Sequence, residues 1–124
     1  MSEHQRLDVS EVGDVTVVCF ADGKLDANNI EELGGELLRL VEVESRRLVE
    51  VKSRRKLLLN FLNVAFISSE PLNNILILHK KLKSNGGSLR LCSLRPHVRE
   101  VFTITKLDQL FDIKENEREG LEGF

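Results

Sequence analysis

The chain has 124 residues, 41% of them apolar and 31% charged, with a formal charge of −2. That is enough length and apolar content for one folded domain with one core. The balanced charge and the lack of Trp and Tyr argue against a nucleic-acid or anionic-membrane surface, and the two Cys and three scattered His give no zinc spacing.

The N-terminal stretch MSEHQRLDVSEVGD lacks the apolar core of a signal peptide. No run reaches the roughly 18 apolar residues of a spanning helix, so a soluble cytoplasmic protein is expected. Leu7, Val9 and Val12 precede a Gly13-Asp14 turn, and Val15 to Phe20 (VTVVCF) has the apolar, β-branched character of a buried strand, so a β-hairpin opens the domain. The loop GKLDANN, Gly23 to Asn29, offers Asp26, Asn28 and Asn29 as helix N-caps. From Ile30 the spacing is helical: Ile30, Leu33, Leu37, Leu40 and Val41 share a face, and Glu31, Glu32 and Glu36 lie where the helix dipole favours acids. Gly34-Gly35 costs this helix about 1 kcal/mol per glycine relative to alanine, which suggests close packing against a sheet. Residues 43–55 mix acids and bases and read as a longer first helix or an extended excursion with a solvated face.

Lys56 to Phe61 (KLLLNF) reads as a central strand, and Ala65-Phe66-Ile67 leads on towards a loop. Helix follows from Pro71, with Leu72, Ile75, Leu76, His79 and Leu82 on one stripe and Lys80, Lys81 and Lys83 in the last turns. Asn85-Gly86-Gly87 stops it. Leu89 to Cys92 is the next strand. Pro96 suits the first turn of a third helix, with Val98, Val101, Phe102 and Thr105 inward. Leu107 to Ile113 gives a turn and a short strand, and the acidic tail a short helix. Cys19 and Cys92 read as buried free thiols, His79 as a packed edge residue, and the six Phe as core residues. Strands alternating with helices predict an α/β fold: an open, mostly parallel sheet of about five strands with an antiparallel N-terminal edge and about four helices.

No phosphate-binding glycine loop and no G-x-S-x-G elbow is present. Gly86-Gly87 ends a helix rather than opening one. The residues therefore leave an enzyme unsupported, and no cofactor and no metal is expected.

The ordered set of segments resembles the STAS domain, named for sulfate transporters and anti-sigma-factor antagonists, over roughly Leu7 to Glu119. GKLD at Gly23 to Asp26 is similar to the family's early turn. NGGSLRL at Asn85 to Leu91 resembles its helix stop and following strand, and PHVREVFTITKLDQLF at Pro96 to Phe111 its third helix and turn. The likeness is to the small bacterial anti-sigma-factor antagonists. It implies a switchable binding module and not an enzyme: a protein that binds an anti-sigma factor with serine kinase activity, or a related STAS signalling protein, and that lets go once phosphorylated.

In that family the phosphorylated serine lies in an Asp-Ser-Ser-Gly segment between a strand and a helix. Within FISSEPL, Phe66 to Leu72, Ser68 falls on the Asp, Ser69 on the modified serine, Glu70 on the second serine and Pro71 on the glycine. The resemblance thus implies phosphorylation at Ser69, with Ser68 as the second candidate. It implies a partner surface of Asp26, Ser68, Ser69, Glu70 and Asn73. Three of the four motif positions depart from the pattern. Glu70 sets a permanent charge beside the acceptor, and Pro71 removes an N–H from the helix start. Proline also favours an extended residue before it, so Pro71 is expected at the first helical position, Glu70 at the cap and Ser69 just outside. Asp26 has a competing role as a cap of the first helix. Two further readings stand beside the switch: a non-switching STAS scaffold, self-associated as a homodimer or held in a larger assembly, and a small-ligand or nucleotide-binding STAS domain.

Overall fold

The predicted hairpin is made by Leu7–Val12 (β1) and Val15–Phe20 (β2), turned at Gly13 with φ +65°, a left-handed conformation that costs glycine little. The computed structural model describes residues 7–47 and 56–124. After the hairpin come Lys24–Leu25 (β3), Ile30–Arg47 (α1), Lys56–Asn60 (β4), Phe66–Ile67 (β5), Ser69–Ser84 (α2), Ser88–Cys92 (β6), Pro96–Ile104 (α3), a 3-10 turn at Leu107–Gln109, Asp112–Lys114 (β7) and Glu117–Leu121 (α4). The main sheet has five strands in the order β1-β2-β4-β6-β7. β1 is the antiparallel edge and the remaining neighbours are parallel, as the alternation of elements predicts.

Each parallel strand is laid beside the one before it, always in the same direction along the sheet. Crossovers of one hand then place their helices on one face. Leu33 and Leu37 of α1, Ile75, Leu78 and Leu82 of α2, and Val98 and Phe102 of α3 pack there against Val18, Leu57, Leu59 and Leu91. A chain of tilted and edge-on rings, Phe20–Phe61–Phe102–Phe111, runs through this core at centroid separations of 5.1, 6.2 and 6.0 Å. The strand order never reverses, so the described sheet has no topological switch point, where open α/β sheets commonly take ligands.

Val15, Val17, Leu58 and Cys92 line the other face, beneath Leu121 and Phe124. Gly120 makes this approach close: a Cβ there would lie 2.8 Å from Leu58 Cδ1. Arg90 pins the segment by donating to the carbonyls of Gly120, Glu122 and Gly123, with its guanidinium 4.5 Å from the Phe124 ring centroid. Lys56 Nζ donates to the backbone oxygen of Phe124 at 2.7 Å and to the Asp14 carboxylate at 2.9 Å.

The fold corrects three expectations. Gly34 serves a helix–helix contact rather than a helix–sheet contact: the atom its Cβ would meet is Asn74 Oδ1 of α2, at 2.8 Å. Thr105 is exposed, because α3 ends at Ile104 and the Thr105 hydroxyl caps the carbonyl of Val101 at 2.8 Å. Phe66 is 44% exposed, because β5 is so short that Ile67 alone faces inward. The longer first helix expected over residues 43–55 is borne out as far as Arg47, while residues 48–55 and the side chains of Leu40 and Val41 lie outside the described residues.

Candidate functional site

The site rests on a pairing too short to show in the sequence. β3 and β5 are two residues each and pair in parallel, Lys24 with Phe66 and Leu25 with Ile67. The ladder runs on at both ends: Ala65 N–H donates to Gly23 O at 2.7 Å, and Ser68 N–H to Leu25 O at 2.9 Å. The GKLD turn and the FISSEPL segment are thereby joined side by side, with Asp26 next along from Leu25 and Ser68 next along from Ile67.

Asn29 holds the first of these loops. It is buried, and its side chain makes three bonds: Nδ2 donates to Asp22 Oδ2 at 3.0 Å and to Lys24 O at 2.8 Å, and Oδ1 accepts from Asp26 N–H at 3.0 Å. Asn29 occupies the position before α1, and its carbonyl accepts from Leu33 N–H. Asp26 closes the preceding turn instead, accepting from Asn28 N–H at 3.0 Å and pairing with Lys24 at 3.6 Å. The Asp26 carboxylate thus bonds within the loop rather than capping α1, its main-chain carbonyl accepts from Ile30 N–H at 2.9 Å, and the Asn29 side chain likewise bonds back into the loop.

α2 begins earlier than proline placement suggests. Ser68 is the N-cap, with extended φ −98° and ψ −175°, and Ser69 and Glu70 already lie within the helix. The first-turn N–H groups take no intrahelical partner, so proline fits the third helical position as well as the first. The steric bias on the residue before proline is outweighed, since Pro71 and Leu72 are buried against the core. The donors are then few. Ser68 N–H is spent on Leu25, and Pro71 has none, which leaves those of Ser69 and Glu70 for an incoming anion.

Ser68 is half-buried and makes no side-chain cap bond, whereas Ser69, Glu70 and Asn73 are exposed. The structure gathers Asp26, Ser68, Ser69 and Glu70 at one corner, with Asn73 one turn along α2. Ile77 continues that outer face, 45% exposed. Among the described residues no group of His, Cys, Asp or Glu is arranged to hold a metal ion, and no helix is long and apolar enough to cross a membrane.

Sequence reasoning did not find the other flank of this corner. Leu62 is 59% exposed, yet its peptide is fixed on both sides: Asn60 Oδ1 accepts its N–H at 2.8 Å and Arg95 Nε donates to its carbonyl at 2.8 Å. The Phe66 ring stacks on His97 at 6.0 Å and 17°. The one available signal was Arg95-Pro96-His97 opening a helix next to an apolar strand end.

The fold and this corner describe a class: a single-wound α/β domain whose exposed serine sits between a strand and a helix. The STAS domain family model matches residues 6–120. BtrV of Bordetella bronchiseptica, by its name a candidate anti-sigma factor antagonist, is 32% identical over 115 residues, covering 93% of this chain and 90% of BtrV. An anti-sigma-factor antagonist (STAS) domain protein from Planctomyces limnophilus superposes with a TM-score of 0.78 at 23% identity, over 93% of this chain and 94% of that one. SpoIIAA of Bacillus has been solved unphosphorylated and phosphorylated. The two forms match with TM-scores of 0.68 and 0.62 at 20% and 19% identity, over 94% of this chain and 93% and 96% of theirs. The chain belongs to the STAS domain family. Within it, this is an anti-sigma-factor-antagonist-like domain.

Proposed function

We propose that the chain is a cytoplasmic protein-binding module and not a catalyst, that its partner is an anti-sigma factor with serine kinase activity, and that phosphorylation of Ser69 releases that partner. The observation that carries this reading is the position of Ser69: exposed, first in α2, on a turn fixed by the bond from Ser68 N–H to Leu25 O. That SpoIIAA exists in both phosphorylation states supports it.

A phosphate carries about −1.5 to −2 charges at pH 7. Ser69 and Glu70 offer it two N–H groups, and the Glu70 carboxylate stands beside it. Its charge is therefore poorly absorbed within the domain and acts outward, on the partner's surface. Incubation with the kinase and ATP, read by intact mass and peptide mapping, tests this. One phosphate on the wild type and on Ser68→Ala, and none on Ser69→Ala, is expected. Phosphate on Ser68, or on neither serine, would sink the assignment.

One observation favours a second reading, the non-switching scaffold: Glu70 places a fixed negative charge at the acceptor's side in every state. Glu70→Ser separates the two. A scaffold held in its phosphorylated-like condition gains partner affinity with that substitution, whereas a true switch gains little and still responds to ATP.

A further inference from the structure

β3 and β5 turn Leu25 and Ile67 inward, at 0% and 2% exposure. Side chains alternate along a strand, so Lys24 and Phe66 stand on the outer side, and Asp26 and Ser68 follow them there. Lys24 Nζ reaches forward along its own strand to Asp26 Oδ2 at 3.6 Å. The amine is thereby directed towards the serine corner.

The two members of this ion pair differ in freedom. The Lys24 main chain is fixed by its pairing with Phe66 and by Asn29 Nδ2, which donates to its carbonyl at 2.8 Å. The Lys24 side chain is 63% exposed, and an exposed pair of this length contributes little. The Asp26 carboxylate is 17% exposed and keeps a second bond, from Asn28 N–H at 3.0 Å. Asp26 therefore stays in place without Lys24, and Lys24 is free to leave.

Its reach follows from the ladder. Strands about 4.8 Å apart, rising about 3.3 Å per residue, set the Lys24 and Ser68 Cα atoms about 8 Å from each other. An extended lysine spans most of that gap. Ser69 comes next, exposed at the first position of α2, and a phosphate on it extends from the other side. Asp26 and Glu70 are the carboxylates gathered at this corner, and both repel a group carrying about −1.5 to −2 charges. Lys24 attracts it. At equal distance an amine favours a phosphate dianion over a singly charged carboxylate.

We propose that Lys24 is the intramolecular ligand of phosphorylated Ser69, and that it reaches the phosphate by leaving Asp26. This rests on the reading under Proposed function and adds how the modified state is organised. An ion pair is exchanged rather than added. The net charge brought to the corner is the same either way, so it still acts outward, but it now includes a carboxylate that was paired before. Phosphorylation of one loop thus bares Asp26 on the other, and both loops of the partner surface change together.

The test uses the full chain with phosphoserine genetically encoded at position 69, which needs no kinase, and follows the second ionisation of the phosphate by phosphorus NMR. A neighbouring amine favours the dianion, so Lys24→Gln is expected to raise the midpoint by about 0.5 pH unit at low salt, and by less at high salt. Lys83→Gln, in the last turn of α2, is the control. In an Asp26→Asn background no carboxylate competes for the amine, and Lys24→Gln should then shift the midpoint further. Thermal melting screens each variant, and the Lys24→Gln comparison still decides if Asp26→Asn fails to fold. A midpoint that moves no further in Lys24→Gln than in Lys83→Gln overturns Lys24 as the ligand. An equal Lys24→Gln shift with and without the Asp26 carboxylate overturns the exchange. Either result leaves the proposed function intact, since that reading fails only on the kinase experiment.

Discussion

Ser68 N–H donates to Leu25 O at 2.9 Å, and this bond joins two loops more than forty residues apart at the point where a strand becomes a helix. It consumes a donor that would otherwise face solvent at the start of α2. It also sets the Asp26 turn beside the serines. The geometry of the corner therefore depends on the rigidity of the Asp22–Asn29 loop as much as on α2.

Asn29→Ala tests that dependence. Three side-chain bonds are lost around a buried position, and the expected cost is about 1–3 kcal/mol in urea unfolding. Hydrogen exchange should accelerate at Asp26 and Ser68 beyond what the global loss explains. A uniform acceleration would mean that Asn29 stabilises the domain without holding the corner.

Two glycines in helices should respond in opposite directions to alanine. Gly35 has open space where a Cβ would stand, so Gly35→Ala is expected to stabilise by up to about 1 kcal/mol through helix propensity. At Gly120 the Cβ would meet Leu58 Cδ1 at 2.8 Å and Cδ2 at 3.1 Å, and Leu58 is fully buried. Overpacking should outweigh the propensity gain, for a net loss of about 1–2 kcal/mol. Equilibrium denaturation of both variants in one buffer gives the comparison.

His79 should make stability pH-dependent. Its Nδ1 is buried without a hydrogen-bond partner, its ring meets Phe111 edge-on at 5.2 Å, and burial, then the Lys83 cation, hold its pKa below the usual 6.5. As pH falls below about 6.5 the unfolded chain takes up a proton that the folded chain refuses. Stability is lost until the folded-state pKa is passed, and above about pH 7 the contribution vanishes. His79→Leu should flatten this part of the curve, measured as urea midpoints at pH 7.5 and 5.5. An unchanged difference between those midpoints would place the titration elsewhere.

Thiol labelling should report on the cover of the second face. Burial pushes the Cys92 thiol up to about 11, and burial also raises the half-exposed Cys19. At pH 8 only about one part in a thousand of Cys92 is thiolate. DTNB is expected to modify Cys19 first and Cys92 only as α4 opens, and Gly120→Ala should hasten the second phase alone. Equal rates for both thiols in the folded protein would contradict this burial.

Much of the scaffold was legible in the sequence because its elements are long enough to show a period. VTVVCF, KLLLNF and the Ile30–Leu37 and Leu72–Leu82 stripes each bury several residues at regular spacing. Asn85-Gly86-Gly87 was legible as a stop because Gly86 adopts φ +81° and Gly87 N–H returns to Leu82 O at 2.7 Å. The corner was harder to read. β3 and β5 are two residues each, below any period, and they exist because main-chain groups some forty positions apart satisfy one another. Phe66 was misplaced because composition assigns an aromatic to the core by default, while a two-residue strand has room for only one inward side chain. The start of α2 was misplaced because proline marks the first turn without marking which position in it.

Winding all three crossovers to one side has a consequence for the order in which the domain can be finished. The first face can close as each helix follows its strand. Val15, Val17, Leu58 and Cys92 have nothing to meet until Glu117–Phe124 has emerged, after all five strands of the sheet. During synthesis β4 is therefore half-clad, sealed by its helices on one side and bare on the other. The closing segment must then find Arg90 and Lys56 already in place to receive it.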